Sequence, residues 1–226
     1  MANEKYLRSG KFIDCDHPVV LDYAATHVGS AVTDVDKAIN FYYAIRDGIR
    51  YNPYMRVESK TAYTASDAVL NGEGWCVPKA ALMVACLRIN GIPARPGYSD
   101  VKNHLASRHL IDLLGSEIFL WHSYCEAYLD GNWVKSTPSF NLSLCEKFGL
   151  KPLDFDGRSE ALFHEFDQAG NKHMEYVNER GTYEDVPMDE IITTFKTLYR
   201  PEYIKSANGD LYAEADADRE AIISDT

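Results

Sequence analysis

The run Gly72-Glu73-Gly74-Trp75-Cys76-Val77-Pro78 constrains this chain more than any other stretch. A proline is tolerated in a helix only within its first turn, so a helix has to begin within a residue or two of Cys76. Ala80, Met83, Val84 and Leu87 continue as its apolar stripe. Gly91 suits the position just past its end, and Pro93 forbids continuation. The sequence therefore sets a cysteine at a helix N-terminus, where unpaired N–H groups and the positive end of the dipole favour thiolate over thiol. Thiolate is the attacking species in cysteine-based acyl transfer.

Around this helix the pattern reads as α+β. Thr33 caps a helix with Asp34 and Asp36 in its first turn, and Val35, Ala38, Ile39, Tyr42 and Ile45 recur at helical spacing up to Gly48. Residues 49–51 resume as extended chain, 52–63 read as loop, and 66–70 as a short helix. Residues 1–31 carry only weak periodicity, fitting a strand or a packed arm. Residues 97–120 read as a loop plus a short helix. Next, Trp121 to Phe140 forms a hairpin with Asp130-Gly131 as its turn, so that Glu126 faces Lys135 and Tyr124 faces Thr137. Asn141 caps a short helix ending at Gly149. Residues 161–166 and 173–177 suggest a second hairpin, and a helix runs from Pro187 to Tyr199, stopped by Pro201. From Asn208 on, six acids against Arg219 suggest a mobile tail. The expected organisation is one domain over 1–207, followed by an acidic tail over 208–226.

Composition narrows the function. The formal charge of −11 argues against binding a phosphate backbone. The charged N-terminal stretch lacks the apolar run of a secretory signal, and no window approaches the ~20 apolar residues of a spanning helix. A cytoplasmic protein with no membrane partner is the expectation. Five scattered cysteines (Cys15, Cys76, Cys86, Cys125, Cys145) with no CxxC pair favour neither disulfides nor structural zinc, and Cys15 with His17 is too small a ligand set.

A thiolate needs a base, and His122, behind Trp121 on the hairpin's first strand, is the candidate. With these residues the chain resembles the transglutaminase-like superfamily, the papain-like group of cysteine peptidases, amidases and transamidases. The features that carry the resemblance are Ala38 to Tyr51, Gly74-Trp75-Cys76, Ala80-Ala81-Leu82, Leu87-Arg88-Ile89-Asn90-Gly91-Ile92-Pro93-Ala94-Arg95, and Trp121-His122 with Glu126 and Tyr128. They span roughly residues 33–140, leaving 141–207 as an elaboration. The resemblance implies a helical layer with Cys76 facing an antiparallel sheet that presents His122, and hydrolase or acyl-transfer chemistry on a peptide, protein or small amide without cofactor or metal.

One position departs from the family. Its pattern places an Asp just before a Pro in the strand after the His, to orient the imidazole; Thr137 stands there, before Pro138. A hydroxyl can accept the Nδ1–H bond and fix the tautomer, but it cannot offset an imidazolium charge. Ser139 on the same face, or Asp154 or Asp156, are alternative orienters. Trp75 and Trp121 are candidates for the cleft or for the oxyanion site. Cys86, Cys125 and Cys145 read as core. Tyr42, Tyr43 and Tyr51 read as core aromatics, and His104 and His109 as loop residues flanking a segment that overhangs the site. The missing acid motivates the alternative of a catalytically silent binding module. Oligomeric state is left open by the sequence.

Overall fold

The computed structural model describes residues 3–104, 106–163, 166–167, 169–205 and 208–224, and the side chains of 218–224 lie outside that description. The helix that begins at the cysteine, α4 (Cys76–Ile89), is the centre of the molecule, and every side chain from Cys76 to Arg88 is buried. The apolar stripe expected of it is too narrow a description, because this helix is enclosed on all sides, as a helix apolar all round must be. Helices α1 (Pro18–His27), α2 (Asp34–Gly48) and α3 (Ala65–Asn71) pack against it on one side and the sheet covers the other.

Two buried basic side chains on α4 show how that burial is tolerated, Lys79 being drawn down to about 7 by the loss of water. The Arg88 guanidinium donates to the carbonyls of Ala94, Arg8 and Glu184. Lys79 Nζ donates to the carbonyls of Arg46 and Ile49, capping the C-terminal end of α2. A buried charge persists only where such partners replace water.

The main sheet is antiparallel, in the order β5 (Asn132–Ser136), β4 (Ile118–Leu129), β3 (Ala94–Asn103), β6 (Met174–Thr182). The β4–β5 register pairs Glu126 with Lys135 and Leu129 with Asn132, as the Asp-Gly turn requires. Asp130 and Gly131 both have positive φ, 47° and 85°, the geometry of a two-residue hairpin. A separate two-residue parallel pair, β1 (Arg50–Tyr51) with β2 (Glu73–Gly74), is reinforced by Asn52 N–H donating to Gly74 O. It clamps the chain around Tyr51 to the segment that enters α4.

Several expectations are revised. Residues 94–103, expected to be loop in part, form the central strand β3. The N-terminal arm contains α1 and not a strand. Helix α5 (Arg108–Leu114) follows β3, α6 (Leu142–Phe148) follows Asn141, and a one-turn 3-10 helix occupies 60–63. Asn141 precedes α6 but does not cap it with its side chain, which instead accepts from Tyr51 N–H and Tyr212 OH. The second hairpin expected over 161–166 and 173–177 falls partly on residues 164, 165 and 168, outside the described residues; among the described ones Phe166 bridges Lys172, Ala161 bridges Ser136, and β6 joins the main sheet. Helix α7 (Met188–Leu198) ends before Pro201, as expected, and Pro201 opens a further short helix, α8 (Pro201–Lys205). The acidic segment expected to be a mobile tail contains helix α9 (Leu211–Ser224), docked through buried Leu211 and Ala215. Glu214 accepts from Tyr54 OH and Ser107 Oγ, and Lys147 pairs with Asp216. Among the described residues no helix is long and apolar enough to cross a membrane.

Candidate active site

Cys76 is the first residue of α4, with Trp75 at the N-cap, and is 5% exposed. His122 lies on β4 and is also 5% exposed. Both line one narrow cleft, whose other walls include Tyr51, Trp75, Phe119 and Tyr199. The structure therefore brings together the two residues that the sequence singles out.

Strand β4 reaches this position through a local distortion. Its register against β3 slips between Ser99↔His122 and Val101↔Phe119, a β-bulge. At the bulge, Trp121 adopts φ 58°, a left-handed conformation that a bulky residue rarely takes. Buried Asp100 holds it there: its carboxylate accepts Trp121 N–H at 3.0 Å, Arg180 Nε at 2.6 Å and Asn178 Nδ2 at 3.2 Å. The Arg180 guanidinium lies over the Trp121 ring, 4.5 Å from its centroid. A strained residue next to a candidate catalytic histidine is the usual place for such strain.

Burial dominates the electrostatics. It pushes the Cys76 thiol up to about 12, although the backbone N–H groups of Ser123, Val77 and Cys76 itself pull the other way. Ser123 directly follows His122, so its N–H acting on this sulfur ties β4 to the start of α4. Burial likewise draws His122 down to about 3. The sequence expectation of a thiolate near neutral pH is thus not met in this enclosed cleft: the helix start favours the anion, the loss of water disfavours it, and the loss of water wins.

His122 Nε2 is buried without a hydrogen-bond partner, and so are the hydroxyls of Thr137 and Ser139. Nε2 is thus a buried ring nitrogen open to an orienter, where the sequence argument considers Nδ1–H. Thr137 sits just past β5, its N–H bonded to Ala161 O and its carbonyl accepting from Tyr42 OH. The alternative orienters are engaged elsewhere. Asp154 is an exposed ion-pair partner of Arg46 at 3.8 Å, and Asp156 closes its own exposed turn through Arg158 N–H and Ser159 N–H.

The tryptophans separate. Trp75 lines the cleft but gives its indole N–H to Ala62 O at 2.8 Å, which leaves the main chain of the helix start as the available donor set. Trp121 points elsewhere, packing on Tyr98 and Tyr183. His104 pairs with Glu175 and His109 contacts Asn208 O and the Tyr54 ring, while Leu110 and Leu114 of α5 overhang the cleft as expected.

Sequence reasoning missed Tyr51 as a wall of the cleft, and missed Phe195, Tyr199 and Tyr203, which the C-terminal elaboration contributes. The Tyr199 hydroxyl accepts Leu120 N–H at 2.7 Å and donates to Ile118 O, fastening that elaboration to β4. Pairing of β1 with β2 was the available signal for Tyr51. Nothing local marks the C-terminal tyrosines.

The family model of the transglutaminase-like superfamily matches residues 22–138. No curated protein matches the chain. Among solved structures, a candidate cysteine protease from Cytophaga hutchinsonii is similar at 18% identity and a TM-score of 0.46, over 80% of this chain and 54% of its own. A candidate protease from Parabacteroides distasonis is similar at 14% identity and a TM-score of 0.38, over 55% of this chain and 25% of its own. This chain thus spans about half the length of the first and a quarter of the second. With just over half of its 226 residues matched to the family model, in the region that holds both Cys76 and His122, the chain belongs to the transglutaminase-like superfamily.

Proposed function

We propose that the chain is a cysteine-dependent acyl-transfer enzyme acting on an amide bond, as a peptidase, amidase or transamidase. The observation that carries this reading is the shared cleft of Cys76, at a helix start, and His122, on the facing strand. Both groups rest neutral. As a carbonyl enters, His122 takes the Sγ proton and the sulfur bonds to the carbonyl carbon, while the carbonyl oxygen gains the negative charge. The N–H at Cys76, unpaired because it begins the helix, lies ready to receive that oxygen. On collapse the C–N bond breaks and the imidazolium returns its proton to the leaving amine. Water or a second amine then attacks the thioester with the same proton relay in reverse.

Thr137 is assigned the orienting role. It occupies the place of the family's acid, and its buried hydroxyl is unpartnered, as is His122 Nε2. The experiment is a stopped-flow burst with p-nitrophenyl acetate, followed by intact-mass detection of an acetyl group and its mapping. An acetyl adduct on Cys76 that is lost in Cys76→Ala and slowed at least about a hundredfold in His122→Ala is expected. Acetylation of other cysteines with Cys76 untouched sinks the proposal.

The unpartnered Nε2 and the absent carboxylate favour a second reading, a binding module that kept the cleft and lost the chemistry. That reading requires a folded protein that forms no acyl adduct and binds its partner equally well as Cys76→Ala.

A further inference from the structure

A second cavity adjoins the cleft. It is partly open to solvent and shares Tyr51, Leu110, Phe119 and His122 with the Cys76 cleft, but not Cys76 itself. Beyond the shared wall it is lined by side chains such as Phe140, Leu144, Phe148 and Met174, and no Asp or Glu lines it among the described residues. Its lining suits an apolar group.

The position decides what the chamber can hold, given the reading above. The acyl carbon bonds to Cys76, whereas the departing nitrogen must lie beside the imidazole that protonates it. A chamber walled by His122 and not by Cys76 is therefore on the nitrogen's side of the scissile bond. By microscopic reversibility, an amine that attacks the acyl-enzyme approaches through the same place. We infer that this chamber binds the substituent carried by the amine, as leaving group or as acceptor, and that it selects an apolar one, aromatic or branched aliphatic. The net charge of −11 would by itself favour polyamine-like amines. The lining contradicts that: a second ammonium would enter an apolar chamber with no carboxylate to meet it.

The test separates the chamber from the chemistry by using two readouts. In titration calorimetry on the full chain, N-(2-phenylethyl)acetamide should bind at least about tenfold more tightly than N-(2-aminoethyl)acetamide, since one phenyl group buried from water is sufficient for that ratio. Ala106→Phe, which fills the chamber, should erase the difference, and Phe148→Ala, which strips part of its wall, should weaken the phenylethyl amide several-fold and leave the other unchanged. In the second readout, Cys76 acetylated by p-nitrophenyl acetate should transfer to 2-phenylethylamine in preference to 1,4-diaminobutane by a similar factor. Equal binding of the two amides, or a preference that survives both substitutions in folded protein, overturns the inference. Failure to form acetyl-Cys76 while the calorimetric preference follows the substitutions removes the proposed chemistry and leaves the chamber's selectivity supported.

Discussion

Asp100→Ala is the substitution that most directly tests how this fold places His122. The carboxylate side chain is 7% exposed and its partner Arg180 20% exposed. Breaking a fully buried ion pair by removing one member costs about 3–5 kcal/mol. Leaving Trp121 N–H without its acceptor adds about 1–3 kcal/mol. Two effects offset this: Arg180 is a fifth solvated and keeps its stack on Trp121, and the left-handed Trp121 can relax, recovering about 1–3 kcal/mol of strain. The net expected loss is about 2–4 kcal/mol. With a urea dependence of about 2–3 kcal/mol per molar, the unfolding midpoint falls by roughly 1 M. Adding Arg180→Met should return part of the loss, because it removes the uncompensated charge. The relaxation also swings the residue after Trp121, so acetylation of Cys76 should slow at constant fold while the burst amplitude holds. A midpoint within about 0.2 M of the parent, or an unchanged acetylation rate, refutes the view that this carboxylate sets the bulge.

Three further outcomes follow from the same geometry. Because His122 is held neutral down to about 3, well under its ordinary range near 6.5, the unfolded chain binds the extra proton between those values, and stability falls as pH drops through them, by up to about 1.4 kcal/mol per pH unit from this group; urea midpoints of the parent against His122→Gln across pH 4–6.5 measure it, and parallel curves refute it. Thr137→Asp should pair a carboxylate with the imidazole, raise its pKa and speed acetylation of Cys76 about tenfold at pH 7, and an unchanged rate in folded protein would remove Thr137 from the orienting position. Tyr199→Phe leaves Leu120 N–H without its 2.7 Å acceptor, so a loss of about 1–2 kcal/mol and faster alkylation of Cys76 by iodoacetamide are expected from loosening of the α7 end, to be read by thermal unfolding and peptide mapping.

The parts of the fold that announce themselves in sequence are those fixed by local chemistry. Thr33 accepts Asp36 N–H as the N-cap of α2, Pro78 dates the start of α4, and Asp130-Gly131 turns the hairpin. Strand β3 was hidden because Ala94–Asn103 holds Pro, Gly, Ser, Asp and Lys, a composition with little strand preference of its own. It is a strand because β4 and β6 flank it. Pro96 is tolerated since its carbonyl accepts Tyr183 N–H, so the side of the chain without a donor faces the point where β6 pairing stops at Thr182. Helix α9 was hidden by its charge: Asp216 is exposed, and the docking rests on Leu211, Tyr212, Ala215 and the inward-bonded Glu214. At the site, Cys76 and His122 were legible from the helix start and the family spacing. Asp100 and Arg180 were not, being 80 residues apart and joined only by tertiary pairing.

The remaining tension is between the start of α4, which favours a thiolate, and the cover above it, which forbids one. Macrodipole and N–H contributions at a helix start amount to about 0.3–2 kcal/mol. Removing a thiolate from water costs more, and here its effect on Cys76 exceeds theirs. Much of that cover is contributed by Phe195, Tyr199 and Tyr203, which lie outside the matched core of residues 22–138. The core thus carries the proposed nucleophile and base, while the elaboration supplies much of the cleft wall around them. Any entering amide has to replace that cover with its own polar groups, and its carbonyl and N–H supply to the sulfur and the imidazole what the enclosed cleft withholds. On this argument the proton leaves Cys76 when the substrate is in place and not before, and the C-terminal tyrosines, rather than the dipole, determine the reactivity of the free protein.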